Sequence, residues 1–130
     1  MCGFSGFITS DASVMAEAES IVKKMTLTIQ HRGPDDTGIW IDSSSGFALG
    51  FRRLSILDLS SAGHQPMISR NGRFTLTFNG EIYNHKELRL LLISSKFFQS
   101  NPFWNGQSDT ETLLACIEAW GLETTLQKTV

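Results

Sequence analysis

The order of local patterns along the sequence predicts an α+β fold, with antiparallel strands covered by helices. Three observations carry this prediction. A short apolar run bracketed by glycines opens the 130-residue chain. One helical pattern and several strand-like runs follow without regular strand–helix–strand alternation, and two helical patterns come last. A doubly wound parallel sheet needs that alternation, so this class is not favoured.

The first half of the chain is predicted to contain three strands and one helix. Gly3–Ile8 forms the first strand. Apolar residues at helical spacing predict a single helix over residues 14–29. Residues 38–41 and Phe47–Arg53 form a strand pair joined across a Ser-rich turn. Residues 54–59 either extend the second of these strands or form an ordered loop.

The second half is predicted to contain a hairpin and two helices. The hairpin joins residues 67–69 to residues 73–78 and turns at Asn71-Gly72, a strong two-residue turn signal. A helix begins near Asn84, with Glu87 as a capping partner.

The last predicted helix follows a segment of low regularity at residues 94–107. Ser108-x-x-Glu111 forms a capping box at its start, and Gly121 suits its end. Residues 122–130 begin a further element whose type the pattern does not assign. No repeat or interdomain linker divides the sequence, so one domain is expected.

Composition excludes several classes of protein. Apolar residues make up 41% of the chain and charged residues 18%, with a formal charge of −2. Nucleic-acid binding needs a clustered excess of Lys and Arg, which is not seen. No apolar run approaches the ~18 residues of a membrane span, and the start does not resemble a signal peptide. A soluble, cytoplasmic protein without nucleic-acid or membrane partners is expected.

The sequence also lacks the usual signals of metal and phosphate binding. His31, His64 and His85 are scattered, without cysteine or carboxylate partners at metal-ligand spacing. The sequence contains neither a Gly-x-x-x-x-Gly-Lys phosphate loop nor a Gly-x-Gly-x-x-Gly turn. Two cysteines are too few for a disulfide framework. No metal or cofactor is therefore expected on these 130 residues.

Cys2 is a candidate nucleophile if Met1 is removed. It would then carry both a thiol, with a reference pKa of ~8.5, and the α-amine, with a reference pKa of ~7.7–8.0. Such an amine can accept the proton of the nucleophile, which a Lys amine near ~10.4 does less readily. The alternative is that Cys2 is only a small hydrophobic residue.

Three further places carry groups that would complete an amino-acid amide hydrolase. Arg53 can bind a carboxylate through two parallel hydrogen bonds, although a surface or structural arginine is the alternative. The Asn79 side chain and the Gly80 N–H can hold an oxyanion, although Asn-Gly is common in ordinary turns. Asp109 can bind an ammonium group, although it also suits the first turn of a helix.

Six short motifs then occur in order: Cys2-Gly3-Phe4-x-Gly6, His31-Arg32-Gly33-Pro34-Asp35, Arg53-Leu54-Ser55-Ile56-x-Asp58, Gln65-Pro66-Met67, Phe78-Asn79-Gly80-Glu81-Ile82-Tyr83-Asn84-His85 and Ser108-Asp109-Thr110-Glu111. From Cys2 to about Leu126 the sequence resembles the glutaminase domain of glutamine-hydrolysing asparagine synthetases, which are class II glutamine amidotransferases. The Arg-Leu-Ser-Ile and Gln-Pro-Met segments favour these synthetases over related amidotransferases.

The resemblance implies an N-terminal-nucleophile hydrolase fold, with two stacked antiparallel sheets between helical layers. Cys2 would attack the side-chain amide of glutamine to give a thioester and ammonia, and water would then release glutamate. The loop at residues 31–35 would shape or cover the site.

The resemblance also implies roles for the binding residues. Arg53 would hold the α-carboxylate of glutamine; Arg52 competes for this role but is out of register with the motif. Asn79 and Gly80 would form the oxyanion hole, and Asp109, helped by Glu81, would hold the α-ammonium group. The pocket between these groups would be lined by Leu54, Ser55, Ile56 and Leu57.

The family pattern continues beyond this sequence. Residues 1–130 would be an incomplete type 2 glutamine amidotransferase domain, without its later strands. The synthetase domain that uses ATP and Mg²⁺ to amidate aspartate would also be absent. The expected partners are L-glutamine and that synthetase domain of the same parent chain, with a homodimer left open.

Two alternatives to an asparagine synthetase remain at this point. A related amidotransferase with another acceptor would share this domain. A non-enzymatic fragment that binds glutamine would keep Met1 and form no thioester.

Overall fold

The computed structural model describes residues 2–56, 58–95, 97 and 104–130. These ranges contain five α-helices and five strands in two antiparallel sheets, which confirms the predicted α+β class. None of their helices has the length and apolar character that a membrane crossing requires. The described part of the chain divides into two compact units: residues 2–56, 64–66 and 77–79 form the first, and residues 58–63, 67–76, 80–95, 97 and 104–130 form the second.

The first unit is built on a three-stranded antiparallel sheet in the order β1–β3–β2. The strands are β1 (Gly3–Ile8), β2 (Asp36–Asp42) and β3 (Phe47–Arg53). In the register, Gly3 lies opposite Arg52 and Asp36 lies opposite Arg53. All three strands were predicted, and β2 is longer at both ends than residues 38–41.

Two helices cover this sheet where one was predicted. They are α1 (Ala12–Ala16) and α2 (Ala18–Thr28), and the prediction of one continuous helix over residues 14–29 is wrong. Glu17 interrupts the helix because its backbone angles, φ −102° and ψ 7°, depart from the helical values. Asp11 caps α1: its carboxylate accepts hydrogen bonds from the N–H groups of Ser13 and Val14 in the first turn.

The core of the first unit lies between α2 and the sheet. Ala18 and Val22, one helical turn apart, pack with Ala48 of β3, and all three are buried. Thr26 continues the same helix face and is 2% exposed. Its hydroxyl donates to the Val22 carbonyl at 2.7 Å and lies 2.9 Å from the Ser5 hydroxyl. The helix is therefore fixed to the sheet by apolar packing and one buried polar contact.

The chain after β3 does not continue as a strand. Residues 54–56 and 58–59 have no strand structure, and a short 3₁₀ turn follows at Ser61–Gly63. Of the two possibilities left open for residues 54–59, the loop is the correct one for the described part. Leu57 lies outside the described residues.

The second unit contains a small hairpin. Its strands are β4 (Met67–Ile68) and β5 (Thr75–Leu76), paired antiparallel. Gly72 has a φ of +72°, the left-handed conformation that a glycine adopts in tight turns. The predicted hairpin is confirmed, although both strands are shorter than predicted. The prediction of a two-residue turn at Asn71-Gly72 is wrong: the Ser69 N–H donates to the Phe74 carbonyl at 2.8 Å, and the Gly72 N–H donates to the Ser69 carbonyl at 2.9 Å, so the loop is longer.

Three helices complete the second unit: α3 (His85–Ser94), α4 (Asp109–Trp120) and α5 (Leu122–Lys128). The first two were predicted, and α5 is the unassigned element at residues 122–130. Helix α4 is buried over most of its length, and Cys116 is completely buried in it. Ser108 caps α4 by accepting from the Thr110 N–H at 3.1 Å. Half of the segment predicted to be irregular, residues 94–107, lies outside the described residues.

Asn84 does not cap α3 with its side chain, so this part of the helix prediction is wrong. Its amide is used elsewhere: Nδ2 donates to the Lys128 carbonyl at 2.8 Å, and Oδ1 accepts from the Val130 N–H at 3.1 Å. The Tyr83 N–H also donates to the Val130 carbonyl at 2.7 Å. The start of α3 is therefore joined to the chain that follows α5.

Candidate active site

The predicted site residues are divided between the two units. The first unit holds Cys2, Arg53, Leu54, Ser55, Ile56 and Asn79. The second unit holds Gly80, Glu81 and Asp109. Met1 and Leu57, which the sequence also singled out, lie outside the described residues.

The thiol of Cys2 lies against one residue of the segment after β3. Its Sγ accepts a hydrogen bond from the Leu54 N–H at 3.3 Å and is 3.6 Å from the Leu54 carbonyl oxygen, to which it can donate. Cys2 is half-buried and forms no disulfide. The structure therefore brings the candidate nucleophile next to the Arg53–Ile56 segment.

The main chain of Cys2 is also held in place. Arg32 Nε donates to the Cys2 carbonyl oxygen at 3.0 Å. Arg32 belongs to a short 3₁₀ turn, Gln30–Arg32, which directly follows α2. The loop at residues 31–35 was predicted only to shape or cover the site, and its contact with the Cys2 main chain adds a specific role.

The same loop fixes the segment after β3 at two points. The Asp35 N–H donates to the Arg53 carbonyl at 3.1 Å, and the Asp35 carboxylate accepts from the Ser55 N–H at 2.8 Å. Gly33 approaches β3 so closely that an added Cβ would lie 2.4 Å from the carbonyl carbon of Arg52. Only glycine fits there without a shift of the backbone. The loop thus shapes the segment that contacts Cys2.

The two consecutive arginines of β3 have different surroundings. Both are buried, at 8% exposed for Arg52 and 7% for Arg53. Successive strand residues point to opposite faces, so the two guanidinium groups are separated by the strand. Arg52 Nε donates to the Gly33 carbonyl at 3.0 Å, which gives this arginine a structural task. Arg53 also has interactions within the structure, and it remains the candidate for a carboxylate.

Asn79 follows a residue that is held by a buried side chain. Gln65 Oε1 accepts a hydrogen bond from the Phe78 N–H at 2.7 Å, and Gln65 is 5% exposed. Asn79 itself is half-buried, and Gly80 is exposed. Sequence reasoning included Gln65 in a motif but gave it no role.

In the second unit, Asp109 is joined to the segment that carries Glu81. The Asp109 carboxylate accepts from the Ile82 N–H at 2.9 Å and from the Thr110 N–H at 2.8 Å. Asp109 is buried, whereas the neighbouring Glu81 is exposed. Two carboxylates on adjoining segments give this part of the unit the negative charge that an ammonium group prefers.

Arg89 organises the chain around the start of α4, and sequence reasoning missed it. Nη1 donates to the Gly106 carbonyl at 3.0 Å, Nη2 to the Ser108 carbonyl at 2.9 Å, and Nε to the Thr112 hydroxyl at 2.7 Å. The guanidinium also lies 3.4 Å from the Glu111 carboxylate. Arg89 thus fixes the residues on both sides of Asp109.

His85 lies in the same polar region. Burial lowers its pKa, and the positive charge of Arg89 lowers it further. Its Nδ1 atom is buried without a hydrogen-bond partner. Burial and the positive charge of Arg89 both favour the neutral form of the His85 imidazole.

A cavity in the second unit does not coincide with the predicted residues. It lies beside the hairpin and α4, with Met67, Trp104 and Leu114 among its apolar lining residues and Glu118 among its polar ones. None of the residues assigned a role in glutamine hydrolysis lines it.

Comparison with known proteins supports the interpretation of these residues as part of a glutamine amidotransferase domain. A family model described as "Glutamine amidotransferase domain" matches residues 1–130. The chain is 43% identical over 116 residues to "Asparagine synthetase [glutamine-hydrolyzing] 1" of Bacillus subtilis, which covers 88% of this chain. It is 40% identical over 139 residues to "Putative asparagine synthetase [glutamine-hydrolyzing] 2" of Methanocaldococcus jannaschii, covering 95% of this chain. It is also 35% identical over 130 residues to "Amidase chry2" of Gibberella zeae, covering 94%.

These relatives are much longer than the chain. The matched regions are 17% of the Bacillus relative, 25% of the Methanocaldococcus relative and 18% of the Gibberella relative. The match of the family model, by contrast, extends over every residue of the sequence. On this evidence the chain belongs to the glutamine amidotransferase domain family.

Proposed function

We propose that this chain is the glutaminase part of an asparagine synthetase and hydrolyses L-glutamine through Cys2. The observation that carries the proposal is the contact of the Cys2 thiol with both main-chain groups of Leu54, beside Arg53. A thiol held at a fixed position beside the residue that follows an arginine suits attack on an amino-acid amide, if that arginine binds the α-carboxylate as proposed. The similarity to synthetases whose names specify glutamine hydrolysis supports the same reaction.

The reaction runs in two steps, with Cys2 as the first residue after loss of Met1. The free α-amine accepts the thiol proton, and Sγ attacks the side-chain carbonyl carbon of glutamine. The tetrahedral intermediate collapses when the C–N bond breaks; nitrogen takes the proton from the α-amine and leaves as ammonia. Water then attacks the thioester, which gives glutamate and restores the Cys2 thiol.

In both steps a negative charge develops on the carbonyl oxygen under attack. We assign its stabilisation to the Asn79 amide and the Gly80 N–H. A donor aimed at the oxyanion stabilises the transition state more than the bound substrate. Arg53 binds the α-carboxylate, and Asp109, with Glu81 nearby, binds the α-ammonium group. Leu54, Ser55 and Ile56 line the remainder of the pocket.

This assignment makes glutamine a better substrate than asparagine. Asparagine is one methylene shorter, so an asparagine held by the same α-groups would leave its amide short of Sγ. A misplacement of about 1 Å can lower a rate ~100-fold.

The proposal includes the wider protein. The chain adopts the N-terminal-nucleophile hydrolase architecture, and strands from sequence outside these 130 residues complete it. The outward-facing residues of β1, Phe4 and Ile8, are 56% and 65% exposed, as expected for a sheet face that another layer covers. The ammonia passes to a synthetase domain of the same parent chain, where ATP and Mg²⁺ supply the activation of aspartate.

Glutamate release by the full-length protein tests the proposal. The Cys2→Ala variant should lose at least about 1,000-fold in kcat, as expected for removal of a nucleophile. Cys116→Ala is the matched control, since it removes the other cysteine from a completely buried position. It should retain activity close to wild type, and intact-mass measurement should show a chain without Met1. Equal glutamate release by wild type and Cys2→Ala would rule the proposal out.

A second acceptor class is favoured by one specific observation. The relative named "Amidase chry2" matches 94% of the chain at 35% identity. The same glutaminase chemistry could therefore supply ammonia to an acceptor other than aspartate. Mass spectrometry of the products formed from glutamine, ATP and aspartate distinguishes the two, because only an asparagine synthetase forms asparagine.

A further inference from the structure

A buried glutamine links the three-stranded sheet to the segment that carries Asn79. Gln65 is 5% exposed, and its Oε1 atom accepts the Phe78 N–H at 2.7 Å. Phe78 directly precedes Asn79 in the sequence. The Phe78 N–H lies in the peptide plane that ends at the Phe78 Cα, so this hydrogen bond fixes the backbone at the residue directly before Asn79.

The main chain of Gln65 is in turn fixed to β2. A Cβ atom added at Gly38 would lie only 1.9 Å from the Gln65 carbonyl oxygen, so this carbonyl rests directly on the strand. One residue earlier, His64 Nδ1 lies 2.8 Å from the Asp36 carboxylate. Two successive residues are thus attached to β2, and the side chain of Gln65 reaches from there to Phe78.

Strand β2 also leads to the nucleophile. Asp36 lies opposite Arg53 in the β2–β3 pairing. The residue after Arg53 is Leu54, whose N–H and carbonyl contact Cys2 Sγ. All of these residues belong to the first unit. A continuous set of contacts therefore joins the thiol to the segment of Asn79.

We infer that Gln65 is a positioning residue for Asn79: its side-chain oxygen holds Phe78, and through it the Asn79 amide, at a set position relative to Cys2. The inference rests on the proposed function, because it takes Asn79 to be the oxyanion donor. Such a donor acts mainly when the tetrahedral oxyanion forms. A displaced Asn79 should therefore slow the chemical step while leaving glutamine binding almost intact.

Two substitutions in the full-length protein test this role. Gln65→Met keeps the length of the side chain but removes the acceptor, and it should lower kcat about 10- to 100-fold with little change in KM. L-Glutamate γ-semialdehyde, which forms a tetrahedral adduct with a thiol, should lose affinity by a similar factor. Gln65→Glu retains an oxygen that can accept the Phe78 N–H, and it should restore most of the lost kcat.

A matched control separates positioning from loss of stability. Thr26→Val removes another buried hydrogen-bonding side chain of the same unit, but one that contacts Val22 and Ser5 and not the Asn79 segment. At a comparable drop in Tm, Thr26→Val should keep kcat close to wild type. An equal loss of kcat in Thr26→Val and Gln65→Met, or a change confined to KM in Gln65→Met, would overturn the inference.

A third measurement does not depend on turnover. In Gln65→Met, the Phe78 amide should exchange its hydrogen faster, and the NMR signals of the Asn79 side chain should shift; Gln65→Glu should reverse both changes. If wild type hydrolyses no glutamine, the proposed function fails, and these two signals still test the position of Asn79. Unchanged signals in Gln65→Met would overturn the positioning role even in an active enzyme.

Discussion

Arg32 holds the main chain of Cys2: its Nε atom donates to the Cys2 carbonyl oxygen at 3.0 Å. This is a side-chain contact to the residue proposed to become the amino terminus. Chain ends are usually mobile unless they are tied to the fold. The hydrogen bond, together with the β1–β3 pairing that begins at Gly3, gives the nucleophile a fixed backbone.

Replacing Arg32 should therefore weaken catalysis without unfolding the protein. We expect Arg32→Met to lower kcat/KM for glutamine about tenfold, because the Cys2 thiol is less well oriented. Alkylation of Cys2 by iodoacetamide needs no bound substrate and should change much less. Lys24→Met, at an exposed position of α2, is the control and should leave both rates unchanged; a parallel loss in both variants would contradict the role given to Arg32.

Asp35 should affect catalysis through the hydrogen bond that its carboxylate accepts from the Ser55 N–H. Asp35→Ala removes the acceptor of that N–H and loosens the Arg53–Ile56 segment, so kcat/KM should fall about tenfold. Asp35→Asn keeps one oxygen that can accept the same bond and should lose less. Steady-state kinetics of glutamate release measure both effects.

The control for Asp35 is another aspartate of the first unit. Asp42 accepts hydrogen bonds from Ser44 and Ser45 in the turn between β2 and β3, at the opposite end of these strands from Asp36 and Arg53. Asp42→Ala should leave kcat/KM unchanged. Equal losses in the two alanine variants would show that Asp35 has no specific effect on the Cys2 region.

The two cysteines should differ in their reaction with iodoacetamide. Burial raises the pKa of the Cys116 thiol to about 12. Only about one Cys116 in ten thousand would then be a thiolate at about pH 8. Cys2 is half-buried and should be labelled in the native protein, whereas Cys116 should react only after unfolding. Peptide mass spectrometry measures this, and native labelling of Cys116 in Cys2→Ala would contradict it.

Arg89 should be important for the stability of the second unit. Arg89→Met would leave the largely buried Glu111 carboxylate without its positive partner and three oxygen acceptors without their donor. We expect a loss of about 3 kcal/mol in the free energy of unfolding. Urea unfolding measures it, with Lys86→Met on the exposed side of the same helix as the control. Similar midpoints for the two variants would contradict the prediction.

Most of the secondary structure could be predicted because it depends on local pattern. The alternation in β1, the hairpin around Asn71-Gly72 and the Ser108 cap are each properties of a few neighbouring residues. The break at Glu17 was missed because the apolar spacing continues across it. Asn84 was assigned to a cap because sequence alone does not show that residues 128 and 130 compete for its amide.

The candidate site was predictable in a different way. Cys2, Arg53 and Asp109 are the residues proposed to carry the chemistry of the reaction, and their residue types alone pointed to them. Asp35, Gln65 and Arg89 support other residues through contacts 13 or more positions apart in sequence, such as the contact from Gln65 to the Phe78 N–H. Such long-range contacts depend on the completed fold and leave no local pattern.

Because β3 carries two neighbouring arginines, a one-residue shift in its register would leave a similar charge on each face of the strand. A shift of β3 by one residue against its partners would exchange their faces and still place a guanidinium group on each. One of the two positions would be taken by Phe51 or Leu54, while each face of the strand would keep one arginine. Yet Arg52 would no longer reach the Gly33 carbonyl, and Leu54 would move away from the Cys2 thiol. An inserted or deleted residue near the end of β3 should therefore be far more harmful than a substitution there.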